Sequence, residues 1–437
     1  MISRVLLPLI LLTGLASAHG INGHVHVTGW AIESLPPGEL RDFLSEPEVF
    51  EAALIGAAFP DSGYAIDDGY GELAHWEPFV HGLLEQIRRD VGPPFADLEA
   101  RKTAAFLMGL ASHGLQDEIF DSIFLHQVHE HDDAGQDEAD PGTDGFLIVD
   151  GHHRFKPAFY LPGALLQEAF REIHGHEVSL QTMDVGLRRI KLLVIDSAES
   201  VGANLDARYR PLLPWTAAHY LDRDIPGSLQ SEVPATAAYI EAIWGRLHDD
   251  WPVGALVGHP YPDPPRRLHR VDAASVSSWV TLVFGSGAIV GTLNPDTVRW
   301  TDEAGDPVAF GLTHTRWSGS RPDASTRLVQ LRPEADLRFD HAYTIELAPG
   351  VTLQDGRMLD AAWRYTFRTP CAPDAPCVEP DAGVVADMGV PDAGASESSA
   401  SDGCQGVPAP APWWPLLACA IRRRRRRGPP RASACAG

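Results

Sequence analysis

The sequence predicts a multidomain protein in which an all-α domain is followed by an all-β sandwich and then by a disordered C-terminal tether. Through much of 19–255, apolar residues recur at three- and four-residue intervals, the period of an amphipathic helix. Over 266–370 the period changes to two, which is typical of strands. Residues 371–403 are rich in Asp, Ala, Pro, Ser and Gly and have too few large apolar side chains to fold.

The individual elements follow from these periods and from the breaks between them. Pro and Gly separate the clearest helical stretches, which are 98–124, 164–174, 185–205 and 235–247. The proline-rich segment 251–267 is expected to be a hinge between the two domains. The predicted strands include 280–284, 298–300, 327–331, 343–347 and 363–367. Short strands with turns between them predict a β-sandwich of about 100 residues.

The charge balance argues against a general nucleic-acid-binding protein. The 437 residues include 35 Lys and Arg against 59 Asp and Glu. Eight of the basic residues lie in 1–18 and 404–437, so residues 19–403 carry 27 cations against 59 anions. Because nucleic-acid phosphates are bound mainly by Lys and Arg, a surface this acidic repels them.

The first 18 residues have the features of a removable signal peptide. Arg4 precedes the apolar run 6–15, and a small-residue cleavage site ends at Ala18. Cleavage there leaves His19 at the new N-terminus. The alternative is an uncleaved anchor, but the apolar run is far short of the roughly 20 residues that span a bilayer. The sequence therefore predicts export to the cell surface or the medium.

All five cysteines lie beyond position 370, so disulfides do not hold the two predicted domains together. They are Cys371, Cys377, Cys404, Cys419 and Cys435. Cys371 and Cys377 either close a small loop in an oxidising compartment or remain free thiols.

The C-terminal segment 404–437 combines Cys404, the short apolar stretch 407–421 and the arginine run 422–427. This order resembles the myxobacterial C-terminal sorting tag (MYXO-CTERM), which implies anchoring at the cell surface. The alternative is a basic tail that contacts anionic lipid.

Acidic and imidazole side chains point into the predicted core of the helical domain. At about 100° per residue, His113, Asp117 and Asp121 share the apolar face of the helix through 106–124. An unpaired buried carboxylate is costly, and two carboxylates at i,i+4 repel each other. A bound cation removes both costs, whereas the alternative is a helix that borders a wet cleft.

A second His-x-x-x-Asp pair, His129 and Asp133, lies within 21 residues of the first. Imidazole and carboxylate groups are ligands of zinc and other divalent metals, so the two pairs together predict a metal site. The acidic segment that contains Asp140 and Asp144 is instead expected to be a solvated loop, because it lacks the spacing of a calcium loop.

Four motifs within residues 19–250 together resemble the zinc-dependent phospholipase C family. They are His19-Gly-Ile-Asn-Gly-His24, Phe59-Pro-Asp-Ser-Gly-Tyr64, His75-Trp-Glu-Pro-Phe79 and Gly109-Leu-Ala-Ser-His-Gly-Leu-Gln-Asp117. The chain is most similar to the catalytic domain of glycosylphosphatidylinositol-specific phospholipases D, and more distantly to fungal zinc-dependent single-strand nucleases. The resemblance implies an all-α, zinc-dependent phosphodiesterase domain.

The resemblance also implies up to three Zn²⁺ ions. The implied ligands are His19, His24 and Asp117 for the first ion, Asp61, His75 and His113 for the second, and Asp121, His129 and Asp133 for the third. His19 would bind through its main-chain amine and carbonyl, so signal cleavage would complete the site. Asp117 would bridge the first two ions. At Asp121 the family usually has a histidine, and His126 is a possible substitute.

In the family, zinc neutralises the phosphate oxygens, and a metal-bound water becomes the hydroxide nucleophile. By resemblance, Asp61 and Asp117 are the catalytic carboxylates, with Asp61 orienting the water. The implied substrates are phospholipid or glycolipid headgroups at a membrane surface, cleaved in either the C or the D sense. The alternatives are a zinc nuclease of the same fold, and a non-catalytic surface-binding protein whose metal site is degraded at Asp121.

The β-rich segment 266–370 resembles a bacterial Ig-like domain, mainly through 343–351 and 363–369. The resemblance implies a spacer or an adhesive unit. No catalytic constellation is recognisable in this segment.

Overall fold

The computed structural model describes residues 20–251, 257–261, 280–314, 324–369 and 372. The predicted signal peptide, His19, all five cysteines, the C-terminal tag and the tether apart from Ala372 lie outside the described residues. A helical part is followed by a smaller antiparallel β part, which confirms the predicted order of the two classes of structure.

The helical part contains fourteen α-helices among the described residues. They are α1 (Ile21–Ser34), α2 (Glu39–Leu44), α3 (Pro47–Ala57), α4 (Asp61–Tyr64), α5 (Tyr70–Ala74), α6 (Glu77–Asp90), α7 (Leu98–Ile119), α8 (Leu125–Asp132), α9 (Gln136–Val149), α10 (Gly163–His174), α11 (Leu180–Ile190), α12 (Ala198–Tyr209), α13 (Pro214–His219) and α14 (Val233–His248). Two π-helical turns, Phe120–Phe124 and Lys191–Ile195, follow α7 and α11. Each predicted helical stretch is helical, although 185–205 divides between α11 and α12. None of the described helices is long and apolar enough to cross a membrane.

Helix α7 runs through the core and is almost entirely buried. It begins at Asp97, whose side chain accepts a hydrogen bond from the Ala100 N–H at 2.8 Å. Further along, α7 packs backbone to backbone on α3. A Cβ added at Gly109 would lie 1.8 Å from the Ala53 carbonyl oxygen, and one added at Gly56 would lie 2.3 Å from the Phe106 oxygen. Glycine at these two positions therefore sets how closely α3 and α7 approach.

Replacing Gly109 with alanine should lower the free energy of unfolding by at least about 2 kcal/mol, because the new methyl group meets backbone that cannot rotate away. Urea unfolding followed by circular dichroism measures this loss. Gly69→Ala is the matched control, since a Cβ there has no heavy atom within 4 Å; its expected effect is within about 0.5 kcal/mol. Equal stability of the two variants would show that the α3–α7 contact is looser than described.

The β part consists of two antiparallel sheets. The strands are β1 (Val257–Tyr261), β2 (Val280–Ile289), β3 (Val298–Asp302), β4 (Phe310–His314), β5 (Ser325–Pro333), β6 (Ala342–Leu347) and β7 (Trp363–Arg368). One sheet has the order β1-β2-β5-β4 and the other β3-β6-β7. All five predicted strands are present. The half-exposed β4 was not predicted, and β1 lies before position 266, within the segment expected to be a hinge.

The two parts share a hydrophobic core. Leu282 and Phe284 of β2 pack into the core between the two sheets. Val283 of the same strand and Leu328 of β5 belong instead to the core of the helical part. Strands β2 and β5 are therefore buried on both faces, and both parts lie in one compact unit.

Candidate metal centre

Five predicted ligands converge on one buried position, from four places in the chain. His24 comes from α1, Asp61 begins α4, His75 directly follows α5, and His113 and Asp117 lie one turn apart on α7. Among the described residues, two groups have ligand atoms within 4.8 Å of one another: His24, His113 and Asp117, and Asp61, His75 and His113. These arrangements could hold a metal ion.

The three imidazoles are oriented by hydrogen bonds on their outer nitrogens. In each ring Nδ1 faces an oxygen: Gly71 O at 2.6 Å from His75, Ala57 O at 2.6 Å from His113 and Gln116 Oε1 at 2.9 Å from His24. A carbonyl oxygen only accepts, so Nδ1 carries the proton and donates. Nε2 is thereby aimed inward, as in histidines that bind metal through Nε2. The Ala57 carbonyl ends α3, so the close α3–α7 contact also fixes His113.

Four of the inward atoms are spaced as zinc ligands are. A tetrahedron with ligands about 2.0–2.1 Å from zinc has edges of about 3.3 Å. Asp61 Oδ1 lies 3.6 Å from His75 Nε2 and 3.7 Å from His113 Nε2. Asp117 Oδ2 lies 3.2 Å and 3.3 Å from the same two nitrogens. The two nitrogens are 2.9 Å apart. These five distances suit zinc coordination. Asp61, His75 and His113 form one group that could hold an ion, and Asp117 lies against the same two imidazoles.

The 2.9 Å contact between His75 Nε2 and His113 Nε2 requires a positive species between two lone pairs or a proton on one ring. Burial lowers the pKa of His75, but hydrogen bonds and charge from Asp117 and Asp61 outweigh it and raise the pKa to about 10. Burial and the neighbouring His24 lower the pKa of His113. Without metal, the proton thus stays on His75 Nε2, which donates a hydrogen bond to His113 Nε2. A cation would replace that proton.

A second position lies on the other side of Asp117. Its Oδ1 is 3.0 Å from His24 Nε2, whereas its Oδ2 faces the other two imidazoles. The His24 ring stacks on His113 with centroids 3.7 Å apart. Burial alone would raise the pKa of Asp117, but the charges of His113 and His24 lower it well below its usual value. Asp117 therefore stays ionised and offers one oxygen to each side, as a bridging ligand does.

Asp121, His129 and Asp133 are placed differently from these five. Asp121 lies in the π-helical turn Phe120–Phe124 and is exposed on one side. Its carboxyl group still faces the centre, where burial and the charge of Asp117 raise its pKa to about 8. His129 and Asp133 are also exposed, at the end of α8, which Asp133 terminates in a left-handed conformation. Within the part of the chain that is described, none of the three belongs to either metal-binding group.

An open groove of about 510 Å³ lies beside the centre. Asp121, one turn beyond Asp117, forms part of its wall, together with the two imidazoles of His126 and His129. Gln330 of β5 contributes from the β part, so both parts of the protein line this groove.

Two further carboxylates, Asp140 and Asp144, were expected in a solvated loop, but both are buried on α9. Neither carboxyl oxygen of Asp140 has a hydrogen-bond partner among the described residues. Burial and the carboxylates of Asp121 and Asp117 raise the pKa of Asp140 well above its usual value. The i,i+4 spacing of Asp140 and Asp144 is the sequence signal that places both on one helix face. Pro141 between them instead favoured a loop.

Asp144 anchors the start of α1. It accepts hydrogen bonds from the Gly23 N–H at 2.9 Å and from the Asn22 side chain at 3.0 Å. A Cβ added at Gly20 would lie 2.1 Å from the Asp144 carboxyl carbon, so the chain before α1 passes directly against this carboxylate. This contact places Gly20, the first described residue, against the Asp144 carboxylate.

The chain matches no protein-family model and no curated protein. Similar solved structures include a crystal structure of the S-layer protein SbsC, with 10% identity, a TM-score of 0.19 and coverage of 68% of this chain and 45% of that one. The N-terminal part of this bacterial S-layer protein gives 9% identity, a TM-score of 0.19 and coverage of 82% and 79%. The chain thus spans under half of the first structure, and a likeness this weak carries no conclusion on fold or function.

Proposed function

We propose that the protein is an exported, zinc-dependent phosphodiester hydrolase that acts on phospholipid or glycolipid headgroups. The single observation that supports it most is the convergence of three inward imidazole Nε2 atoms and two carboxylates into two adjoining groups, each of which could hold a metal ion. All five residues come from the motifs that resemble the zinc-dependent phospholipase C family. The substrate class rests on that resemblance.

Zinc is the metal that this donor set favours. Mixed imidazole and carboxylate ligands in four-coordinate geometry are typical of zinc, whereas Mg²⁺ and Ca²⁺ prefer shells of oxygen. The buried Asp61 and His113 lie deep in the set, while 13% of the Asp117 side chain is accessible. Solvent and substrate therefore reach the centre from the Asp117 side.

When bound, zinc would supply positive charge for the phosphoryl oxygens and lower the pKa of a coordinated water. The protein's own residues set the geometry around it. Asp61 stays ionised because the charge of His113 and a hydrogen bond from His75 lower its pKa against the effect of burial. Asp61 can then accept a proton from the attacking water. The groove beside Asp117 receives the headgroup, with imidazoles of His126 and His129 facing the anionic phosphate.

We place the third of up to three ions near Asp140. Its buried carboxyl oxygens lack partners in the described chain, and its pKa responds to Asp117, Asp121 and Asp61. A cation among these groups would offset their mutual repulsion. Asp121, His129 and Asp133 remain the ligands that the family resemblance implies for this ion, and His19 remains the implied main-chain ligand of the first.

The proposal includes export by the signal peptide 1–18 and anchoring through 404–437, with the acidic tether 371–403 between the β part and the tag. In this arrangement the centre works at a membrane surface outside the cytoplasm. The β part is assigned as an Ig-like domain. Its two antiparallel sheets agree with that assignment.

The test measures metal content and turnover on the same purified protein. Elemental analysis should find zinc, and the protein should hydrolyse phosphatidylcholine or phosphatidylinositol vesicles, lose this activity with a chelator and regain it with Zn²⁺. Single-stranded DNA is the parallel substrate. Cleavage of DNA alone would favour a nuclease, zinc without turnover would favour a non-catalytic binding protein, and the absence of metal would contradict the proposal.

A further inference from the structure

One arginine of the β part reaches into the helical part beside the metal centre. Arg327 of β5 is completely buried. The register between β2 and β5 shifts here: Leu328 pairs with Val283, but Thr326 pairs with Ala288. Arg327 thus lies within an irregularity of the ladder. The extra residues belong to β2, opposite Arg327. The guanidinium reaches α7, where it contacts Glu118.

The guanidinium joins the two segments that carry the candidate ligands. Its Nη2 donates to the His75 main-chain oxygen at 2.6 Å and to Glu118 Oε1 at 2.6 Å. Its Nε donates to the same Glu118 oxygen at 2.9 Å. Glu118 directly follows the bridging Asp117 in the chain. One planar cation therefore ties the backbone of the His75 segment to the helix that bears Asp117 and His113.

Space for this contact is provided by a glycine on α7. A Cβ added at Gly114 would lie 2.1 Å from the His75 oxygen and 2.6 Å from Arg327 Nη2. Gly114 also directly follows His113. The close approach of the His75 backbone, the guanidinium and α7 therefore requires glycine at this position.

The charge of Arg327 is balanced locally. Only 4% of the Glu118 side chain is accessible, and it forms the ion pair with Arg327. A buried arginine without this carboxylate would be strongly unfavourable, and its charge would repel a nearby metal ion. The planar guanidinium therefore fixes its hydrogen-bond partners in position, and because Glu118 neutralises it, the pair adds no net charge beside the centre.

From these contacts we infer that Arg327 is a positioning residue of the metal centre, and that the β part is a structural component of the site rather than a spacer. The inference rests on the proposed metal centre. Arg327 holds the His75 segment against α7, where His75 Nε2 lies 2.9 Å from His113 Nε2 and 3.2 Å from Asp117 Oδ2. Outer-shell contacts of this kind typically change metal affinity by about 10- to 100-fold.

A second buried arginine provides a matched control. Arg246 of α14 also spans the two parts, pairing with Glu77 at 3.0 Å and donating to the Gly285 carbonyl of β2 at 3.0 Å. Among the residues that the structure describes, Arg246 has no hydrogen bond or ion pair to a candidate ligand, unlike Arg327. Arg246→Met thus reports the cost of weakening the interface alone.

The experiment compares Arg327→Met with Arg246→Met in the full protein. Zinc affinity is measured by competition with a chromophoric chelator, and hydrogen exchange is measured for peptides covering 71–75 and 113–119, which exclude Glu77, the partner of Arg246. Arg327→Met should lower zinc affinity at least about tenfold relative to Arg246→Met and speed exchange in both peptides. Equal zinc affinity and equal exchange in the two variants would overturn the inference.

Two milder variants apply if Arg327→Met does not fold. Arg327→Lys keeps the charge but loses the planar fork, and Gly114→Ala keeps the arginine but displaces it. Each should weaken zinc binding at least several-fold with the thermal midpoint within a few degrees of Arg246→Met; undiminished affinity in both would overturn the inference. Hydrogen exchange is measured without metal, so the two hypotheses are tested separately. Wild-type protein that binds no zinc would contradict the proposed function. Unchanged exchange in the Arg327 variants would contradict the positioning role.

Discussion

Replacing His113 with alanine should remove zinc from the purified protein and lower phosphodiester hydrolysis by more than about 100-fold. His113 belongs to both candidate metal-binding groups, so its loss removes a ligand from each. Its Nε2 lies within 3.7 Å of Asp61, His75 and Asp117, and the methyl group of alanine replaces none of these contacts. Loss of an outer-shell partner alone costs about 10- to 100-fold, so loss of a direct ligand should cost more. Elemental analysis and initial rates measure the two effects.

His248→Ala is the control for this variant. The Nδ1 of His248 also donates to a helix carbonyl, that of Trp244 at 2.9 Å, but its ring packs on the Trp244 ring with centroids 4.1 Å apart. It should keep zinc and activity. If His113→Ala retained both, the proposed ligand set would be wrong.

Zinc affinity should rise about tenfold per pH unit between pH 6 and 9. In the metal-free protein His75 holds a proton, with a pKa raised to about 10, and Nε2 must lose it before it can bind zinc. One proton is then released for each ion bound at this position. Chelator-competition titrations at several pH values, corrected for the chelator's own protonation, measure the slope. Affinity independent of pH from 6 to 8 would contradict a protonated His75.

The same proton makes the metal-free protein less stable in alkali. The folded-state pKa of His75 exceeds the usual value of 6.5, so the stabilisation is fully present below about pH 6.5 and is lost as the pH rises through about 10. The loss amounts to at most roughly 5 kcal/mol. Zinc-loaded protein should not show it, because the metal replaces the proton. Urea unfolding at pH 7 and pH 9, with and without chelator, separates the two cases.

Much of the fold was predictable because periodicity depends on short-range pattern. The period of 3.6 located α7, and the period of two located β2 and β5. Strand β4 was missed because it is a half-exposed edge strand interrupted by Gly311, with little apolar alternation to detect. Strand β1 was hidden by the prolines around it. The sequence also did not indicate that β2 is covered on both faces, since that depends on how the two parts pack.

The candidate site was predictable where ligands share a helix turn or a recognisable motif. His113 and Asp117 fall one turn apart on α7, so geometry alone brings them together. Asp121 lies in a π-helical turn, where the angular spacing differs from the 100° per residue on which its prediction was based. Asp140 was missed because Pro141, which lies inside α9, is typical of a loop rather than of a helix interior. Arg327 gave no local signal at all, since its role depends on contacts more than 200 positions away in the sequence.

The shared core has a consequence for how the two parts fold. Val283 and Leu328 complete the packing of the helices, although their own strands belong to the sheet. Removing the sheet would take these side chains away from the helices and expose an apolar surface of the helical part to water. The helical part and the sheet therefore depend on each other for folding, and neither should be stable when it is expressed alone.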